Sequence, residues 1–304
     1  MENALVALSN EIASTVEQAG RAVVAVHGRP RVSSSGVIWR PGIVLTADHT
    51  LRREDGIRVT LPDGRTVPAE IAGRDPGTDL AVLKTGAVNG SGFDERAVTE
   101  LRTGHLALVI GRSPDTGVSA TLGVISGVSG PWHTWRGGRV DQFLRLDAGV
   151  FPASSGGAVV DAEGRFIGLA TLGLSRTSPL AIPLATIQRV ATELLDKGHI
   201  ARGFLGVGLQ PVPLPQHLQE KLGRAAKSGL IVLSVEPDAP AGNAGVLIGD
   251  VFLALDSKPV EDTDDVQAFL GSEYVGKQIK ASILRGGESI ELQMVVGERP
   301  RRRA

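Results

Sequence analysis

No cysteine occurs anywhere in the chain, which removes disulfides, thiolate nucleophiles and thiolate zinc sites at once. The six histidines (His27, His49, His105, His133, His199 and His217) show no H-E-x-x-H spacing, so no metal site of the zinc-hydrolase kind is expected. No cofactor is expected either. Excess charge of one sign is also missing. A formal net charge of -1 argues against bulk electrostatic binding to nucleic acid or to a membrane surface. Long apolar runs are absent: no window approaches the roughly 18 uninterrupted apolar residues of a membrane span. Residues 1–20 carry Glu2, Glu11 and Glu17 and no basic start before an apolar run, unlike a signal peptide. The expectation is a cytoplasmic protein, periplasmic or extracytoplasmic only if a leader has been removed.

Aromatics are few, with Phe 7, Trp 3 and Tyr 1, whereas Gly 39 and Pro 17 are plentiful. That balance describes a turn-rich, β-rich protein, and 304 residues suggest about two domains. Leu5, Leu8, Ile12 and Val16 have helical spacing, after which Ala22–Val26 reads as a buried strand. Strand signals follow at Ser33–Trp39, Gly42–His49, Ile57–Leu61 and Val67–Ile71, with Asp63-Gly64 marking a hairpin turn. Asp79 stands immediately before the apolar run Leu80–Lys84. Leu106–Ile110, Ser119–Gly127, Phe143–Leu146, Phe166–Leu172 and Leu180–Pro183 add further short strands. Trp132, His133 and Trp135 fall in a glycine-rich loop read as solvent-exposed or as a substrate rim. Leu184–Gly198 carries Ile187, Val190, Leu194 and Leu195 at helical spacing and is closed by glycine. Many short strands with one terminal helix form an all-β barrel signature.

The chemistry concentrates in Leu146–Asp161, where Ser155 precedes Gly156 and Gly157 in a sharp turn. A serine there can be a nucleophile only with a base beside it. His49 and Asp79 supply base and orienting carboxylate, in the order His, Asp, Ser at intervals of 30 and 76 residues. With Thr46-Ala47-Asp48-His49, Asp75-Pro76-Gly77-Thr78-Asp79-Leu80-Ala81-Val82-Leu83-Lys84 and Asp147-Ala148 through Ser155-Gly156-Gly157, the chain resembles the HtrA (DegP-like) branch of chymotrypsin-fold serine proteases. Leu180-Ala181-Ile182-Pro183 before the helix also fits. The resemblance implies a chymotrypsin-like double β-barrel over residues 1–200. In it Ser155 attacks the peptide carbonyl, His49 relays the proton and Asp79 orients the imidazole. Backbone N–H groups of Ala153 and Ser155 would form the oxyanion hole. By the same resemblance the S1 pocket lies near Gly149, Val150 and Leu172 and is uncharged, so an apolar P1 residue is expected. Two departures stand out. The family's Gly-Asn-Ser-Gly-Gly-Pro is here Ala153-Ser154-Ser155-Gly156-Gly157-Ala158, and Phe151 replaces a small polar residue.

After the helix, Arg202-Gly203-Phe204-Leu205-Gly206-Val207 resembles the carboxylate-binding loop of a bacterial PDZ domain, giving an α+β module over 201–298. Glu236–Gly245 and Gly249–Asp256 match the same pattern. Phe204, Leu205, Gly206 and Val207 would capture a peptide C-terminus, and Val266, Phe269 and Leu270 on a helix would line the groove. Gln278–Leu284 and Ser289–Val296 read as a hairpin joined at Gly286-Gly287. Residues 299–304 read as a basic, disordered tail. The implied function is an endopeptidase for unfolded or partly folded proteins, a quality-control protease and a homotrimer. The alternative is a proteolytically silent peptide-binding chaperone or scaffold, and Ala153 is the feature favouring it.

Overall fold

A computed structural model describes residues 3–86, 92–93, 100–222 and 227–300. The chain divides into two compact units, Met1–Ile200 and Ala201–Ala304. The first opens with α1 (Ala4–Gly20), whose Asn3 side chain accepts a hydrogen bond from the Leu5 N–H. Six strands follow: β1 (Val23–His27), β2 (Ser34–Arg40), β3 (Ile43–Ala47), β4 (Ile57–Thr60), β5 (Thr66–Asp75) and β6 (Leu80–Thr85). They close into a barrel in the order β1-β2-β3-β6-β5-β4. The next strands are β7 (Leu106–Ser113), β8 (Gly117–Ser129), the small pair β9 (Trp132–His133) and β10 (Arg139–Val140), and then β11 (Phe143–Asp147), β12 (Ala158–Val160), β13 (Phe166–Thr171) and β14 (Leu180–Pro183). Their second closed barrel runs β11-β14-β13-β12-β7-β8, and α2 (Leu184–Lys197) ends the unit, with Gly198 left-handed at its C-cap.

Several strands are apolar at every position rather than at alternate ones, because both of their faces are covered. One face of β1, β2, β3 and β6 lines the interior of the first barrel through Val24, Val26, Ile38, Val44, Ala81 and Leu83. The other face joins Val23, Val37, Leu45, Leu80 and Val82 to Ile110, Val160, Leu169 and Ile182, with Ile187, Val190 and Leu194 of α2 in the same cluster. The two barrels therefore share a buried layer. Burying one such aliphatic side chain contributes about 1.5–3 kcal/mol.

The glycine-rich loop departs from its exposed reading. Trp132 sits on β9 edge-on to Phe143, with ring centroids 5.6 Å apart, while Trp135 is exposed and stacks under the Arg136 guanidinium. The neighbouring Phe143 gives Trp132 an apolar surface that its position in a Gly-rich segment did not reveal.

The second unit holds β15 (Gly203–Phe204), β16 (Val207–Pro213), α3 (Gln216–Leu222), β17 (Ser228–Val235), α4 (Pro240–Asn243), β18 (Val251–Leu255), β19 (Lys258–Pro259), α5 (Thr263–Gln267), β20 (Gln278–Arg285), β21 (Glu288–Val295) and β22 (Gly297–Glu298). The main sheet runs β16-β17-β18-β20-β21, leaving one edge of β16 outside the ladder. The tail reading needs correction at its first residue, since the Arg299 N–H donates to the Arg202 carbonyl at 2.8 Å, next to the β15–β22 pairing. Residues 301–304 lie outside the described residues. Among the described residues no helix is long and apolar enough to cross a membrane.

Candidate active site

Strand register builds the first half of the site. Ala47 of β3 pairs with Leu80 of β6, so the residues just beyond those two ends come together. His49 lies in the 3-10 turn Asp48–Thr50, and Asp79 is the last residue before β6. The Asp79 backbone is left-handed, with φ 59°, a conformation that is uncommon for a non-glycine and concentrates at functional sites. Asp79 is fully buried and its carboxylate is well satisfied. Oδ1 accepts from the His49 backbone N–H at 2.9 Å, and Oδ2 lies 2.8 Å from His49 Nδ1. The Thr171 hydroxyl donates to the same Oδ2. Gly173 closes over this pair: a Cβ there would land on the Asp79 carboxylate and His49 Nδ1.

The second half comes from the turn before β12. Ser155 Oγ is 3.3 Å from His49 Nε2, at the long end for a hydrogen bond to an imidazole. His49 is thus bonded on both ring nitrogens, to a buried carboxylate and to a serine hydroxyl. Ser154, its neighbour, is occupied elsewhere: its Oγ accepts from the Phe151 N–H at 2.9 Å and donates to the Phe151 carbonyl at 3.1 Å. Gly156 has φ 84°, and a Cβ there would collide with the Ser35 carbonyl, which makes it a position only glycine fills well.

Sequence reasoning missed three residues of this arrangement. Thr171 and Gly173 gave no signal, because their role depends on β13 bringing them against Asp79. Ser35, read only as part of a serine-rich strand start, ties the two barrels together. Its Oγ donates to the Ala153 carbonyl at 2.7 Å and accepts from the Arg112 N–H at 2.9 Å, while its own N–H donates to the Ser155 carbonyl at 3.1 Å.

The expected oxyanion hole is not open in this arrangement. The Ser155 N–H donates to the Phe151 carbonyl at 3.1 Å and the Ser154 N–H donates to the same carbonyl at 2.9 Å. The turn has wound into a helical coil that consumes one of the two required donors. Ala153 N–H donates to no acceptor among the described residues. Around the expected S1 residues, Gly149 is exposed and Val150 and Leu172 are half-buried. The Phe151 ring lies over Gly149, 3.2 Å from where a Cβ would stand.

Charge around the triad is balanced by buried pairs. Asp48, beside His49, bonds Arg74 Nε at 2.6 Å. Burial nevertheless holds its pKa above the ordinary value, with Asp79 and Asp75 adding to the rise.

In the second unit, Phe204–Val207 leads from β15 into β16. Leu205 is buried in the core and Phe204 is half-buried. The groove assignment on α5 needs correction. Val266 and Phe269 are buried in the unit's core, and Phe269 and the half-buried Leu270 lie beyond the helix end at Gln267. Spacing of three marks the inward side of a helix, whereas a groove is lined by the flank beside it.

Residues 34–169 match the trypsin-like peptidase domain and residues 203–296 match the PDZ domain. The serine endoprotease DegS of Escherichia coli K12 is 32% identical over 310 residues, covering 94% of this chain and 85% of that protein. The chain belongs to the HtrA-type serine endoprotease family. An HtrA-type structure, the protease AlgW with a decapeptide, superimposes with a TM-score of 0.78 at 31% identity, covering 95% of this chain and 99% of that one. A probable periplasmic serine endoprotease, DegP-like, of Brucella suis biovar 1 (strain 1330) is 32% identical over 286 residues, or 90% of this chain and 54% of that one. The chain thus spans about half the length of the DegP-like relatives it matches. The DegP-like relatives are named periplasmic, which overturns the cytoplasmic expectation. Composition of the first 20 residues does not report the compartment.

Proposed function

We propose that this chain is a serine endopeptidase that hydrolyses unfolded or partly folded polypeptide outside the cytoplasm, with a PDZ domain that takes peptide C-termini and regulates cleavage. One observation carries the reading: His49 bridges the buried Asp79 carboxylate at 2.8 Å and Ser155 Oγ at 3.3 Å. In this reading Ser155 Oγ attacks the scissile carbonyl as His49 Nε2 accepts its proton. The proton then passes to the leaving amine, and water repeats the sequence to release the acyl group. Asp79 fixes the imidazole tautomer with Nδ1–H toward itself and stabilises the imidazolium. The oxyanion requires Ala153 and Ser155 N–H, so Ser155 must first leave the Phe151 carbonyl. Phe151 must also move off Gly149 for an apolar P1 side chain to enter beside Val150 and Leu172.

These requirements make the described arrangement a resting one. Peptide capture at Phe204–Val207 by strand addition to the open edge of β16, or assembly into a homotrimer, would supply the energy to rearrange the turn. Exposed apolar residues on α1, Leu5, Val6 and Leu8, suit such an assembly. A proteolytically silent scaffold is not favoured, since the relatives are named endoproteases. Casein digestion by the wild type and by Ser155→Ala, with and without a peptide ending in a free apolar C-terminus, tests the reading. Digestion is expected from the wild type alone and faster with peptide. Equal digestion by Ser155→Ala would overturn the nucleophile.

A further inference from the structure

Beside the Ser155 turn, on the flank of the first barrel, lies a cavity of about 290 Å³. His27 at the end of β1, Arg29 and Arg31 in the β1–β2 connection, Arg53 and Arg58 around the start of β4, and Asp115 in the β7–β8 turn line it. Four arginines and a single acidic residue therefore line it. Glu54 and Asp55 stand in the same loop as Arg53 without lining the cavity. Among the described residues the side chains of Arg31, Arg53 and Arg58 make no ion pair or hydrogen bond.

Two further features set this cavity apart from an ordinary basic surface. Val32 N–H donates to the Pro30 carbonyl at 2.9 Å, closing a three-residue turn around Arg31, whose φ is 67°. A turn of that hand is rare and strained for a non-glycine, and it holds an arginine at the rim. Arg29 then joins the cavity to the catalytic turn. Its Nε donates to the Val32 carbonyl at 3.2 Å, and a terminal nitrogen donates to the Pro152 carbonyl at 2.9 Å, three residues before Ser155. The Arg29 pKa is lowered by burial and then by the Arg52 charge, as for a cation lacking a counter-ion. Burial and Arg58 likewise lower His27, against an opposing pull from Asp115.

We propose that this cavity is an anion subsite that receives an acidic side chain, Asp or Glu, of the polypeptide lying across the Ser155 turn. The proposal rests on the endopeptidase reading for its ligand and goes beyond it by naming a preference. Its volume sits at the low end of the range for small-molecule sites, about 300–1,000 Å³, and suits one side chain with water. Guanidinium groups take a carboxylate through paired, charge-assisted hydrogen bonds. Because Arg29 also holds the peptide plane between Pro152 and Ala153, a carboxylate bound here acts on the turn that carries the oxyanion donors.

The test uses the full chain carrying Ser155→Ala, which reads binding without turnover. Fluorescent peptides, amidated at the C-terminus to keep the second unit's loop out of the measurement, carry one Glu walked through successive positions. Each is compared by anisotropy with its Gln counterpart. Glu at one position or two adjacent ones is expected to bind about tenfold tighter than Gln, and the gap is expected to narrow as salt screens it. Adding Arg53→Glu with Arg58→Glu should abolish the preference, and Arg58→Gln alone should lose part of it. Inorganic phosphate, as competitor, separates the sources of the anion. Displacement of the Glu peptide down to the Gln level supports the same subsite. Equal affinity of Glu and Gln peptides at every position overturns the proposal, even where phosphate binds. So does a Glu preference that survives both charge reversals. Failure of the endopeptidase reading would appear separately, as absent casein digestion by the wild type.

Discussion

Asp79 shows how much one residue draws from its neighbours. Its carboxylate accepts from a backbone N–H, an imidazole and a threonine hydroxyl, so the charge is held in one orientation before substrate arrives. Thr171→Val removes one donor while keeping shape. A drop of about tenfold in kcat/KM is expected, equivalent to 1.4 kcal/mol, with Ser155 labelling by a fluorophosphonate slowed in step. Unchanged kinetics would make Thr171 a packing residue. Gly173→Ala is a sharper case. Its backbone is not left-handed, so alanine is tolerated conformationally, but its Cβ would occupy the space of the Asp79–His49 pair. A hundredfold loss or more in kcat/KM is expected, about 2.7 kcal/mol or more, with circular dichroism unchanged.

Ala153 carries the opposite expectation. It is absent from the residues with positive φ, so it rests unstrained in the coiled turn. Any rearrangement that swings its N–H through the left-handed region costs alanine roughly 1 kcal/mol more than glycine. Ala153→Gly should therefore raise basal kcat/KM and shrink the stimulation by peptide. Unchanged or lower basal activity would refute the gating role.

At the scale of an element, α5 is five residues long, too short to stand without help. Its capping box supplies that help. Asp262 accepts from the Asp264 and Asp265 N–H groups, while the Asp265 carboxylate accepts from the Asp262 N–H. Val266 then enters the core. Asp262→Ala is expected to destabilise the second unit by about 1 kcal/mol. A urea titration followed by NMR on the labelled ring of Tyr274, the chain's single tyrosine, reads the second unit by itself. A midpoint equal to the wild type would show the cap to be dispensable.

For the whole molecule, each unit has its own core and its own reporters, since Trp39, Trp132 and Trp135 all belong to the first. The second unit also has its own acid sensitivity. Asp250 is buried, and burial alone would raise its pKa. Two 2.8 Å bonds from Arg285 and one from the Leu247 N–H outweigh that and leave the pKa below the ordinary value. A depressed carboxylate binds its proton less readily folded than unfolded. Its stabilisation is therefore complete above the ordinary range, about pH 4, and is lost as pH falls through the folded value. Asp250→Asn should cost about 2 kcal/mol at pH 7. The gap to the wild type should close on acidification. A gap that stays constant down to pH 2 would remove Asp250 from the linkage.

Sequence alone determined the order and chemistry of the parts: strands as apolar runs bounded by turn residues, a nucleophile before Gly156-Gly157, a base and a carboxylate upstream, and a second module after the helix. These signals are local, because strand formation, turn chemistry and residue type are written within a few positions. The oxyanion turn, the groove flank, Thr171, Gly173 and the arginine cavity were decided only by tertiary structure. Each depends on what a distant segment places beside it. Ser155 N–H could not be known to donate to Phe151 until the turn's coil was seen, and Val266 and Phe269 read as groove residues because periodicity reports a buried face without saying what covers it. The His49–Asp79 contact follows from the pairing of Ala47 with Leu80. A register of that kind is set by which faces can be buried together, so no short stretch of residues specifies it.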